Sequence, residues 1–298
     1  MAEKSGLCLY KSGGLYHDAD DGWAICHAES RIWPVRYWAS DVDLDAGLPD
    51  EVTNLWISEN VALHADPLSN RSVFDMLLAH PGRVQHLGFS SFLTPALVEL
   101  VGTSTTLTSV SMWYVDPDGA GMLLALSRNA HIHVLKIDGF VEAEVIAPLR
   151  ALDPAVVFSF VVSLQIGGHD FSAVRTCNAL NNILVLFPHL HTLVIEGDGN
   201  EDHWVLVPED LPAIDAASLD HVGVMHIESP TVLHAFYDWL RRTRVGVVHV
   251  SIDEAAYQNE DDAVPVEDVH RILVAQSVHV RELVVDGETL FSPPPLLK

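Results

Sequence analysis

Residues 131–139 read HIHVLKIDG, and residues 189–197 read HLHTLVIEG. Aligned, they share apolar residues at positions 1, 4 and 6, counting from Ile132 and Leu190, followed by an acid and a glycine. The same spacing recurs along the chain, as Val52/Leu55/Ile57, Val84/Leu87/Phe89, Leu107/Val110/Met112 and Val161/Leu164/Ile166. It continues as Leu219/Val222/Val224, Val247/Val250/Ile252 and Val280/Leu283/Val285. Between Leu135 and Val250 the central residues lie 29, 29, 29 and 28 positions apart. A fixed period of this size identifies a repeat in which each unit buries its apolar edge against its neighbours.

The segments between these apolar triplets predict helices. In 229–243, Ser229 and Pro230 supply an N-cap and a first-turn proline, and Leu233, Phe236 and Leu240 fall on one face. In 172–187, Val174, Cys177, Leu180, Leu184 and Phe187 keep the same stripe until Pro188 ends it. Segments 268–276, 71–79, 95–101, 119–128 and 141–151 are shorter versions. Strand plus helix, stacked about nine times, predicts an α/β solenoid with a curved parallel sheet over residues 48–290. Residues 1–47 concentrate aromatic and β-branched residues, including Trp23, Trp33 and Trp38. Two to four short strands are expected there as an N-terminal β-rich cap over the first repeat. Residues 291–298, FSPPPLLK, read as an extended C-terminal tail.

The stretches LFPHLHTLVIEG (186–197), NAHIHVLKIDG (129–139) and QSVHVRELVVDG (276–287) resemble the leucine-rich repeats of fungal F-box-type proteins. In those, a helix ending in Phe-Pro leads into Leu-x-x-Leu-x-Leu. The resemblance covers roughly residues 50–290 and implies a leucine-rich-repeat solenoid. Here Val or Ile often replaces Leu, and the asparagine expected three residues after position 6 is mostly missing. Leu48-Pro49-Asp50-Glu51 echoes the opening of an F-box, but TNLWISEN follows instead of a helical pair, so the adaptor role of that module is not carried over.

Composition narrows the function. The formal net charge is −25, from 16 Lys and Arg against 41 Asp and Glu. A surface this acidic repels phosphate backbones and anionic lipid, so neither nucleic acid nor membrane is an expected partner. No apolar run reaches the roughly 20 residues of a membrane helix, and the N-terminus lacks a secretory apolar core, which makes a cytoplasmic protein the expectation. The three cysteines, Cys8, Cys26 and Cys177, are too few and too scattered for a disulfide framework. The phosphate-loop, nucleophile-elbow, dinucleotide and zinc-protease motifs are all missing, so no enzyme activity and no cofactor are expected.

Candidate binding residues follow from strand geometry. Positions 1, 4 and 6 point into the core, and positions 3, 5 and 7 line the concave sheet face. That face carries Trp56, His86, Trp113, Lys136, Asp138, Glu196, His221, His249 and Asp253. The large, rigid Trp56 and Trp113 are the expected anchors. Two uses fit: a protein-interaction scaffold, its partner basic to match the acidic second half, or a small-molecule or carbohydrate pocket around the tryptophans near the cap. His131, His133, His189 and His191 sit at strand starts, off this face, and two such pairs are too far apart to share one metal ion. Asp41, Asp43 and Asp45 alternate as in a calcium loop, although glycine falls at loop position 7 and Val52 replaces the glutamate at position 12. A solvated turn accounts for the same residues. With 17 histidines, the charge also changes steeply between about pH 7 and 5, where solubility or self-association is expected to respond.

Overall fold

The computed structural model describes residues 14–18, 22–27, 35–38, 54–57, 84–90, 95–113, 119–138, 142–167, 179–196, 206–217, 219–257 and 265–291. They divide into two compact units, the first comprising residues 1–137 and 147–160 and the second 138–146 and 161–298.

In the first unit, β1 (Gly14–Asp18), β2 (Gly22–His27) and β3 (Val35–Trp38) are antiparallel neighbours. Strand β1 also pairs in parallel with β4 (Asn54–Ile57), which is followed by β5 (His86–Ser90), β6 (Ser109–Trp113) and β7 (Val134–Asp138) in sheet order. The apolar triplets set the register: Leu55 pairs with Leu87 and Leu87 with Val110, while Ile57 pairs with Phe89 and Phe89 with Met112. Helix α1 (Pro95–Thr103) follows β5 and packs against α2 (Ala120–Arg128), which follows β6. Their Leu97, Val101, Met122, Leu123 and Leu126 are almost fully buried, so one stripe per helix seals the sheet's inner side. Helix α3 (Glu142–Leu152) follows β7.

The second unit runs in sheet order from β8 (Ser163–Gly167) through β9 (Thr192–Glu196), β10 (His221–Ile227), β11 (Val247–Ile252) and β12 (Glu282–Val285) to β13 (Glu288–Phe291). Strands β8 to β12 are parallel, and β13 returns antiparallel. Helices α4 (Ala179–Leu184) and α5 (Asp210–Ala216) pack together. So do α6 (Pro230–Leu240) and α7 (Val266–Gln276), with a 3-10 turn at Glu254–Tyr257 against α6. As expected, Ser229 caps α6: its Oγ accepts from the Val232 N–H at 3.4 Å.

Every predicted core residue of the repeats centred on Leu87, Val110, Leu135, Leu164, Leu193 and Leu283 is at most 5% exposed. A recurrent staple joins successive strand starts. The Gln85 carbonyl accepts from Thr108 and Ser109, and the Thr108 carbonyl from His133 and Val134. The Val162 carbonyl serves His191 and Thr192 in the same way, His191 serves Asp220 and His221, Asp220 serves Gly246 and Val247, and Gly246 serves Arg281 and Glu282.

Four features differ from the sequence reading. In the β11 repeat the core triplet is Val245/Val248/Val250, two residues earlier than read, because Val247 pairs with His221 at position 3. The stretch VGVVHVSI is apolar in both frames, and the staple on Asp220 selects the earlier one. In β10 the register shifts between Val222 and Met225, so Met225, not Val224, pairs with Val250 and Ile227 is fully buried. Asp286 and Gly287, read as the acid and glycine of a repeat, turn the chain into β13 with φ of 50° and 79°, a hairpin signature. Helix α5 was not expected at all. The segment 71–79, the first half of the 172–187 segment, and Cys8 and Cys177 lie outside the described residues.

Candidate functional site on the sheet face

Alternation along a strand puts successive side chains on opposite faces. Because Leu164, Leu193, Val222, Val248 and Leu283 are all turned inward, their neighbours form the outer face of the second unit. One register row runs Ser163, Thr192, His221, Val247, Glu282, and all five are half-buried. The next row contains Gln165, Val194 and Gly223 on β8 to β10, then His249 and Val284 on β11 and β12.

Gly223 and Val224 together oppose His249, a bulge of two residues against one. A Cβ at Gly223 would stand 3.3 Å from Val194 Cγ2 and 3.5 Å from His221 Nε2, so the glycine leaves room for the imidazole to lie over the strand. His221 and His249, diagonal neighbours, meet with ring centroids 5.0 Å apart at 57°. The Nε2 atoms of both are shielded and lack a hydrogen-bond partner. Burial holds the His221 imidazole below the ordinary histidine range, the adjacent His249 adds to this, and the Glu282 carboxylate pulls partly back. Beyond the pair, Ser251 Oγ donates to Asp286 Oδ1 at 3.0 Å, and the Ile252 N–H donates to the same oxygen at 2.9 Å. These bonds hold Asp286 at the end of the face.

The residues expected on the face distribute as follows. His221 and His249 come together, with Glu282 beside them. His86 begins β5 in the first unit, half-buried, and burial lowers its pKa. Trp56 lies on β4 in register with Tyr16 on one side and Gly88 on the other, and Gly88 with Ser111. Trp113 ends β6 in register with Ser90, and Lys136 is a half-buried residue of β7. Asp138 and Glu196 are the last residues of β7 and β9. Asp253 falls past the end of β11, where its Oδ1 accepts from the Ala255 N–H at 2.7 Å and opens the 3-10 turn. That makes it a capping residue. Asp41, Asp43 and Asp45 lie outside the described residues.

The side chains of two of the four strand-start histidines have local partners. His133 Nδ1 is 3.0 Å from the Phe160 carbonyl oxygen, and His191 Nδ1 is 3.1 Å from Asp220 Oδ2. Among the described residues no three His, Cys, Asp or Glu side chains are grouped to hold a metal ion. Gly223 is the site residue that the sequence reading missed; a lone glycine within the apolar strand HVGVMHI was the available signal for a bulge.

No protein-family model matches the chain, and no curated protein does. Among solved structures, it is similar to the leucine-rich repeat-containing protein LegL7 from Legionella pneumophila, with a TM-score of 0.51 and 19% sequence identity. The match covers 81% of this chain and 77% of that one. With the repeat register described above, this defines the fold as an α/β leucine-rich-repeat solenoid. Among the described residues no helix is long and apolar enough to cross a membrane.

Proposed function

We propose that the protein is a non-enzymatic binding scaffold that holds a basic protein segment against its outer sheet face. The observation that carries this reading is the row Ser163, Thr192, His221, Val247, Glu282. Five adjacent strands present side chains that are neither buried in a core nor fully solvated, as a surface awaiting a partner does. Charge sets the partner's sign: the chain carries −25, and Glu282 stands within the face while Asp286 closes its end. In this reading Asp138 and Glu196 extend the contact surface of the second unit, His86 and Lys136 belong to the sheet face of the first unit, residues 1–47 form the cap, and the residues after Phe291 a tail. The repeat class is that of fungal F-box-type proteins, and the protein works in the cytoplasm.

Selection of displayed random peptides on the purified protein tests it. Enriched peptides are expected to be rich in Lys and Arg, and to weaken as ionic strength rises past about 0.1 M, where the Debye length is ~10 Å. Glu282→Lys should cost them at least ~10-fold, whereas Arg271→Glu on the exposed side of α7 should not weaken them. Neutral or acidic winners, or winners indifferent to Glu282→Lys, would contradict the proposal. A second use, for a small molecule or carbohydrate, is favoured by one observation: Trp56 stands in register beside Gly88, a bulky residue next to one without a side chain.

A further inference from the structure

We propose that His221 and His249 form an acid-sensitive latch, closed over the β10 bulge at neutral pH and opened when protonation parts the two rings. This rests on the binding role proposed above, because the latch lies in the middle of that face. The geometry supplies the mechanism. The rings are 5.0 Å apart, too close for two imidazolium ions to coexist cheaply, and each Nε2 is shielded without an acceptor. A proton placed on either nitrogen gains no hydrogen bond while the latch is closed, so it is taken up when the ring swings out.

The surroundings offer little compensation. Strand β9 contributes Thr192 and Val194, which do not titrate, and β11 contributes Val247 and Ser251 besides His249. Strand β12 contributes Val284 and Glu282, the carboxylate that, among the described residues, acts on His221. Further along β10, His226 stands 3.8 Å from Glu228. Asp220, just before His221, is bound to His191, and the Arg281 guanidinium lies over Gly246 at the start of β11. The bulge is the part able to respond. Gly223 and Val224 are set against a single residue of β11, so local rearrangement there leaves the Val222–Val248 pair in register.

The sign follows from linkage. His221 is held below its ordinary value of 6.5 when closed, so the open form binds the proton more readily. Opening is therefore disfavoured above pH 6.5 and increases about 10-fold per pH unit below it, until the closed form itself titrates. Hydrogen exchange of the 222–226 amides in the intact chain, corrected for the intrinsic pH trend, should show that rise in the wild type. In His221→Gln it should be flat. Ring-resolved NMR titration of the wild type should find His221 below 6.5, and it decides the matter alone if the variant fails to fold. A flat wild-type exchange profile, or His221 titrating at or above 6.5, would overturn the latch. A selected peptide should also bind more weakly at pH 5.5 than at 7.5. Peptide binding that is confined to the face yet indifferent to pH would defeat the latch and spare the scaffold. A titrating latch on a face that selects no peptide would do the reverse.

Discussion

Asn129→Ala is expected to be among the most damaging single polar substitutions in the first unit. Asn129 caps the end of α2 and is 4% exposed. Its Nδ2 donates to the Val101 carbonyl at 2.6 Å and the Ser104 carbonyl at 2.8 Å, two of the groups that the end of α1 leaves without intrahelical partners. Its Oδ1 accepts from the His131 N–H at 2.9 Å, fixing the turn into β7. One side chain thus ties the end of one repeat's helix to the start of the next repeat's strand. Alanine removes all three bonds and leaves two buried carbonyls and the part-buried His131 N–H without their partner. At about 1 kcal/mol net for each bond, the loss is ~3 kcal/mol, with a range of ~2–4 because a carbonyl tolerates under-satisfaction better than an N–H. Asn129→Asp should be at least as costly at neutral pH, since it replaces both donated bonds with a charge facing two carbonyl oxygens. Urea denaturation followed by circular dichroism measures this as a shift of midpoint at unchanged slope. A loss below ~1 kcal/mol for the alanine variant would show that water replaces the amide, and the inter-repeat tie would lose its importance.

Ser229→Ala should cost ~0.5–1 kcal/mol in the same assay, at the lower end for an N-cap because its bond is long at 3.4 Å and Pro230 still starts the helix. A loss above ~2 kcal/mol would mean that the hydroxyl does more than cap. Tyr237 is pushed up to about 12 by burial, with Tyr257 adding to it. The folded state therefore favours the neutral phenol, and this contribution is intact below pH 10 and lost as pH rises through about 12. Phenolate absorbance of Tyr237→Phe against the wild type checks it; a Tyr237 midpoint near 10 would refute the assignment.

The fold was legible because its signal is redundant. HIHVLKIDG alone fits many strands, but Leu135, Leu164, Leu193 and Val222 repeat at one period, and the core follows from that period. Where the local signal was degenerate, the reading slipped. VGVVHVSI satisfies two frames, and only pairing with β10 separates them. The slip of two preserved parity, which is why His249 was still placed on the correct face while Asp253 was carried past the end of the strand. Asp286-Gly287 serves equally as a repeat ending or a hairpin turn; the left-handed φ values decide it, and they depend on β13 having a partner edge. Asn129 was invisible for another reason. An asparagine after position 6 was the expected pattern, whereas this one precedes position 1, and its bonds reach back 25 and 28 residues. The meeting of His221 with His249 likewise needed the bulge, which no strand period encodes.

The central claim is that partners bind on the outer sheet face. Hydrogen exchange of the protein with and without a saturating selected basic peptide tests it most directly. The account predicts protection concentrated in Thr192–Val194, His221–His226, Val247–Ser251 and Glu282–Val284, with α6 and α7 unchanged. Protection of α6 and α7, with the strand segments unaffected, would contradict it.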